Sequence, residues 1–382
     1  IIIYNNVSGS ISMSVGKSDK QVPVCSIAQD EGEMLAAAGT GKIRISRKQA
    51  AGPFMSDFSS WGPTSDLKIK PEITAHGGEI LSAVPGQGYE RLSGTSMAAP
   101  NQAGAAALIR QYVKENAEKF GATTPVEVTA RVNQLMMSTA DIVYNKNGLP
   151  FSVRKQGAGL INMKKSVTTA AYLTTYENGK EMDKSKLELG DDKSKTGEYE
   201  MTFKINNVTG SAVSYDISAI TLTEGVSKTY TGHGEKTVTQ EGYILGAELT
   251  VLNAKNGTLN GKNVTVGAKN SCEVTVKITL TGEDKAYLNE SFEHGMYVEG
   301  FLNLAAKSGT SVNTGLPFLA FYGDWTEAPI FDEEYYDTNK DEINKGLDDN
   351  DKLMEDAYAT RVIGGFYSDY IANLGSYYFI QN

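Results

Sequence analysis

Histidine and cysteine are scarce in this chain, at three and two residues among 382. Cys25 and Cys272 are too few for a disulfide framework and show no ligand spacing with histidine. Neither a disulfide-stapled scaffold nor a zinc module is expected. The two cysteines fall in segments read as different domains, so buried free thiols are expected, and the redox compartment stays open. No run of about 18 apolar residues occurs, so no membrane-spanning helix is expected, and no signal peptide or sorting sequence is visible. An excess of basic charge is also lacking, with 36 basic against 46 acidic residues and a net charge of −10 at pH 7. That balance excludes the clustered lysine and arginine of a nucleic-acid-binding surface. The acidity is concentrated at residues 331–382, which hold 12 acidic and 4 basic residues. What remains is a globular composition, 40% hydrophobic and 21% charged, long enough for two or three domains.

The most informative segment present is Leu92-Ser93-Gly94-Thr95-Ser96-Met97-Ala98-Ala99-Pro100. Gly94 permits backbone geometry that a bulkier residue resists. Thr95 and Ser96 are expected to cap the amides of a first helical turn, and Pro100 fits near a helix start. Ala98, Ala99, Ala103, Ala105, Ala106 and Ala107 would let the helix lie deep inside a core. A serine at a helix N-terminus sits beside free amides and the positive end of the helix dipole. Such amides stabilise an oxyanion. Taken alone, the segment also fits a capped alanine-rich helix of the kind any α/β protein carries.

Two flanking runs carry the reading further. Upstream lies Phe58-Ser59-Ser60-Trp61-Gly62-Pro63-Thr64, followed by Lys70-Pro71-Glu72-Ile73-Thr74-Ala75-His76-Gly77-Gly78-Glu79-Ile80-Leu81-Ser82-Ala83. Downstream lies Gln156-Gly157-Ala158-Gly159-Leu160-Ile161-Asn162. In this order the three runs resemble the subtilisin-like serine proteases, the subtilases, over about residues 43–176. The resemblance implies that Ser96 is the acyl-enzyme nucleophile and that its backbone N–H donates to the oxyanion. Thr95 is left open as an assistant at the oxyanion, and Gly94 and Met97 are expected at the substrate, with Met97 on the leaving-group side. A Gly-x-Ser-x-Gly elbow is missing around Ser96, which excludes an α/β-hydrolase.

A seryl hydroxyl needs a neighbouring base. His76 stands where the family has proline, and His76, His233 and His294 all lack the His-Gly-Thr context of the family's catalytic histidine. None is read as the base, so the triad aspartate and histidine are absent from the chain. The chain is therefore read as a C-terminal fragment, inactive alone, of a serine endopeptidase that acts on extracellular polypeptides. The rival reading is a cell-surface adhesion or scaffold protein with a degenerate protease domain.

The flanks of this region read differently. Residues 1–6 and 21–27 read as short strands and residues 30–38 as a short helix. They resemble the end of a protease-associated insert, assigned to residues 1–42, with the subtilase part at 43–178. Beyond it, Tyr199, Met201, Phe203 and Ile205 alternate with polar residues. Further strands are expected around Val213–Ile217, 264–266, 272–278 and 297–302, with a turn at 206–210. Regular short strands predict a β-sandwich at residues 179–329.

The runs 292–301 and 316–325 resemble the first fibronectin type III-like domain of cell-envelope subtilases. Those are the lactocepin-like proteinases and the streptococcal complement-cleaving peptidases. The fold expected is thus a partial α/β subtilisin-like catalytic domain followed by an all-β fibronectin type III-like sandwich. The sandwich is read first as a spacer or stabiliser and second as a binder of cell-surface proteins. The resemblance implies an extracellular, secreted or cell-envelope-attached bacterial protein that requires no cofactor. Residues 330–382 read as the acidic start of a further β domain. Asp337, Asn339 and Asp341, with Asp348-Asp349-Asn350-Asp351, leave a structural calcium ion open, a solvated acidic loop being the simpler reading.

Overall fold

The structure is a computed structural model that describes residues 2–4, 25–27, 29–38, 52–177, 179–227, 237–307 and 312–326. It divides into two compact units, residues 1–52 and 53–382. In the first unit, β1 (Ile2–Tyr4) pairs in parallel with β2 (Cys25–Ile27), and α1 covers Gln29–Ala38. These are the two strands and the helix expected there. The Cys25 side chain, His233, the two acidic calcium-like runs and the tyrosine-rich C-terminal segment lie outside the described residues.

The second unit begins with a hairpin, β3 (Ile80–Val84) and β4 (Gly88–Leu92), that leads directly into α2 (Thr95–Glu115). Then come α3 (Ala117–Phe120), α4 (Pro125–Ser138), α5 (Val153–Gln156) and α6 (Met163–Thr168). The start of α4 is written locally. Thr124 accepts from the Glu127 amide, the Glu127 carboxylate accepts from the Thr124 amide, and Pro125 occupies the first turn where its missing N–H costs nothing. Ile109 and Val113 of α2 pack on Val128, Val132, Leu135 and Met136 of α4.

The remaining strands form a sandwich. They are β5 (Ala171–Glu177), β6 (Lys180–Glu181), β7 (Leu187–Asp192), β8 (Glu198–Asn207), β9 (Val213–Ser227), β10 (Thr237–Ile244), β11 (Glu248–Lys255), β12 (Thr258–Asn260), β13 (Asn263–Val266) and β14 (Ser271–Thr279). After α7 (Gly282–Ser291) follow β15 (Met296–Ala306) and β16 (Thr314–Tyr322). One sheet runs β12-β13-β9-β15-β16-β7, with β10 also on β9, and the other runs β11-β14-β8-β5-β6. Because β5 pairs with β8, the sandwich takes in chain that precedes the 178/179 boundary read from sequence. The period-2 residues Tyr199, Met201, Phe203 and Ile205 line one inner face together with Val274 and Val276 of the paired β14, and share the core with Tyr215, Ile217 and Phe318 of the other sheet. Cys272 is a buried free thiol in that core, and burial pushes it up to about 11.

The β9-β15-β16 sheet is apolar on both faces. Its outer residues Leu222, Phe301 and Leu319 pack on Ile69 and Val153 of the preceding α/β part. That is why β15 reads as a nearly continuous buried run and not as an alternating one.

Two expectations for residues 92–100 are corrected. Gly94, not Thr95 or Ser96, is the N-cap of α2, and no side chain caps it. Pro100 lies inside the helix at its sixth residue, so the Ser96 carbonyl has no amide four residues on to receive. The helix also does not lie deep inside a core. Only the stripe Ala105, Ile109 and Val113 is buried, while Ala98 and Ala106 are half-buried and Ala99, Ala103 and Ala107 are exposed. The buried residues are four apart and meet α4. Ala106 packs at the edge of that cluster, whereas Ala99, Ala103 and Ala107 rotate off the stripe and stay exposed.

Candidate active site

The chain approaches Ser96 through a segment tied down at each step. Between Pro71 and Gly77 it is held by the turn after α5: Ala158 N–H donates to Glu72 O at 2.9 Å, Thr74 N–H to Gly159 O at 2.9 Å, and Ile161 N–H to Thr74 O at 2.9 Å. The Thr74 hydroxyl adds a bond to Gln156 O at 3.0 Å. Past the segment, Gly94 N–H donates to Gly77 O at 2.8 Å. The contact is close: a Cβ on Gly77 would lie 2.7 Å from Gly94 O, so glycine is required for the two backbones to meet. Beyond it, the Ser93 hydroxyl accepts from Glu79 N–H at 2.8 Å and Arg91 reaches Glu79 O at 2.9 Å, which closes the base of the hairpin.

Ser96 therefore stands in the first turn of a 21-residue helix, exposed, on a braced loop. Met97 and Ala98 amides bond back to Gly94 O at 3.0 and 3.3 Å. The Thr95 and Ser96 amides precede the intrahelical ladder and have no acceptor among the described residues. These free donors at the positive helix end suit a developing anion. A cleft of about 410 Å³ opens beside them, walled by Thr95, Ala98, His76, Phe54, Phe58 and Ile73 among others.

The Ser96 hydroxyl has no hydrogen-bond partner among the described residues. His76 is exposed in the loop before Gly77, and His294 is exposed in the turn between α7 and β15. Neither bonds Ser96. No group of three histidine, cysteine, aspartate or glutamate residues gathers as a metal site among the described residues. Among the described residues, the site thus brings an exposed seryl hydroxyl beside unfilled helix-end amides, and no histidine or carboxylate bonds that hydroxyl.

Behind it lies a charged seam between the α/β part and the sandwich that the sequence reading missed. The guanidinium of Arg154 in α5 lies 4.0 Å from the ring centre of Tyr297 and 5.6 Å from that of Trp61. It pairs with Glu299 at 3.1 Å and with Glu224. Glu299 also accepts from the Ser152 hydroxyl at 2.6 Å and from Arg154 N–H at 3.1 Å. All three charged side chains are buried. Burial pushes the Glu224 carboxyl up, although Arg154 works against it. The available signal was a lone glutamate inside the apolar run 297–304, since a buried charge requires a partner.

A second cluster surrounds Glu72. Burial alone would raise its carboxyl, but ammonium groups from Lys184 at 2.8 Å, Lys70 at 3.0 Å and Lys186 at 3.0 Å outweigh that and hold it at about 2. A carboxyl lowered on folding contributes stability above its unfolded value and loses it as pH falls through the folded one. Unfolding free energy should therefore drop between about pH 4.5 and 2. Glu72→Gln should flatten that part of the curve and lower stability at pH 7. Urea titrations at a series of pH values check this, and an unchanged slope in the variant would refute it.

Residues 6–159 match the subtilase family model and residues 187–319 an Fn3-like domain model. The chain is 32% identical over 292 residues to the PII-type proteinase of Lacticaseibacillus paracasei, covering 73% of this chain and 14% of that protein. The PI-type proteinase of Lactococcus lactis subsp. cremoris gives the same values. The C5a peptidase of Streptococcus pyogenes is 27% identical over 357 residues, 89% of this chain and 28% of its own length. The chain thus spans well under a third of each of these relatives. None of its described helices is long and apolar enough to cross a membrane.

Proposed function

Because this chain belongs to the subtilase family and carries an Fn3-like domain behind its catalytic part, we propose that it supplies the nucleophile half of a serine endopeptidase. The carrying observation is Ser96, exposed at the head of α2 with the Thr95 and Ser96 amides unfilled. In the proposed reaction Ser96 Oγ attacks a peptide carbonyl, and its own amide donates to the resulting oxyanion, with Thr95 assisting. Gly94 and the half-buried Met97 flank the scissile bond. The activating histidine and its aspartate come from outside these 382 residues. The names of the relatives support polypeptide substrates and a bacterial cell-envelope or extracellular location for the whole protein. The two matched regions in series support the division into a catalytic part and a sandwich.

The isolated chain should then hydrolyse casein at no more than background rate and react with a fluorophosphonate probe no faster than free serine. The full-length protein should label at Ser96. Casein cleavage by the isolated chain that disappears with Ser96→Ala would overturn the assignment of the base to another part of the protein. A full-length protein that fails to label would favour the scaffold reading.

A further inference from the structure

We infer that Arg154 is a positioning residue for Ser96, and that the Fn3-like sandwich acts on the chemical step through it. This rests on the reading of Ser96 as the nucleophile. The path is short and continuous. Glu299 of β15 and Glu224 of β9 grip the Arg154 side chain, while Arg154 O accepts from Gly62 N–H at 2.8 Å. Arg154 belongs to the four-residue α5, whose turn at Gly157, Ala158 and Gly159 holds Glu72 and Thr74 by backbone bonds of 2.9 Å. Thr74 lies three residues before Gly77, whose carbonyl receives Gly94 N–H, and Gly94 caps the helix that carries Ser96.

A spacer would not need this arrangement. The same interface already has the apolar cluster of Ile69, Val153, Leu222, Phe301 and Leu319. A buried ion pair is a poor source of stability beside apolar packing of similar volume, whereas its directional bonds fix one orientation. The clamp is also over-specified. Glu299 is bonded by the Arg154 guanidinium, the Arg154 amide and the Ser152 hydroxyl, so both the side chain and the backbone of the turn are held in register with β15. The guanidinium also contacts the Tyr297 and Trp61 rings, and it loses those contacts if it swings away from Glu299.

The test uses the full-length protein with Arg154→Met, Arg154→Lys and Glu299→Gln, plus Lys277→Ala at the exposed pair with Glu198 as a control. Active sites are titrated with a fluorophosphonate, and kcat and KM are measured on a peptide substrate well below each variant's Tm. The expected result is a fall in kcat per titrated site on the order of 10²-fold for Arg154→Met, the scale of an ångström-level misplacement of a reacting group. KM should stay within about twofold. Arg154→Lys should recover part of the loss, and the control should match the unsubstituted protein. If Arg154→Met does not fold, Glu299→Gln carries the test, because it keeps the shape and removes the charge.

A lowered Tm with unchanged kcat per site in the folded clamp variants would overturn the inference and leave a purely structural clamp. Failure of the unsubstituted protein to label would instead overturn the nucleophile reading, and the inference with it.

Discussion

Replacing Ser96 by alanine in the full-length protein should lower kcat by roughly 10⁶-fold, the scale known for the nucleophile of subtilisin, a family relative. The effect is large because nothing nearby can take over the attack. Ser93 is engaged with Glu79 through its own hydroxyl, and Thr95 is assigned to the oxyanion and not to the attack. The free amides at the head of α2 survive the substitution, so a residual rate above that of water should persist from oxyanion stabilisation alone. Folding should be unaffected, since the Ser96 hydroxyl is exposed and bonds no described residue. Active-site-titrated turnover on a peptide substrate, with a thermal melt as control, measures both. A loss smaller than about 10³-fold would mean that another group performs the attack.

The second large effect is structural. Gly157→Ala should cost about 4 kcal/mol of unfolding free energy. Gly157 has φ near 63° with ψ near −133°, a combination closed to residues with a side chain. An added Cβ would lie 2.3 Å from Glu72 C, 2.4 Å from Glu72 O and 2.5 Å from Pro71 O. These are backbone atoms, fixed by the same bonds that hold the segment leading to Ser96, so they cannot rotate aside. Backbone strain of about 1–2 kcal/mol adds to overpacking of about 1–3 kcal/mol. Gly148→Ala is the matched comparison: its φ is 79°, but no atom lies within 4 Å of an added Cβ. It should cost only about 1 kcal/mol. Urea midpoints for the two variants separate the terms, and equal midpoints would show that the Gly157 contact relaxes freely.

Gly157 also shows how legible the site was. Its run Gln156-Gly157-Ala158-Gly159 is visible in sequence, and so is the run around Ser96. Their contact is not, because it joins segments some 80 residues apart through the short segment at 72–77. The alanines after Ser96 show the opposite limit. Alanine at many positions permits close packing on every face, so composition suggested a fully buried helix. The stripe Ala105, Ile109 and Val113 is the one that α4 covers. Likewise the alternating strands at 199–205 and 272–278 were readable because each is buried on one face with polar residues between. The apolar run of β15 concealed which of its two faces meets the α/β part.

By itself the sequence determined the helix that follows Gly94, the order of the two parts and the period-2 strands of the sandwich. These are local: each is set by residues within about ten positions of one another, through glycine geometry, helix-end amides and alternating burial. Only the tertiary structure decided that Arg154 meets Glu224 and Glu299, that Glu72 gathers three lysines, and that α2 leaves one face open. Those facts depend on which distant surfaces meet, and a charged side chain looks the same in a sequence whether it ends in water or against a buried partner.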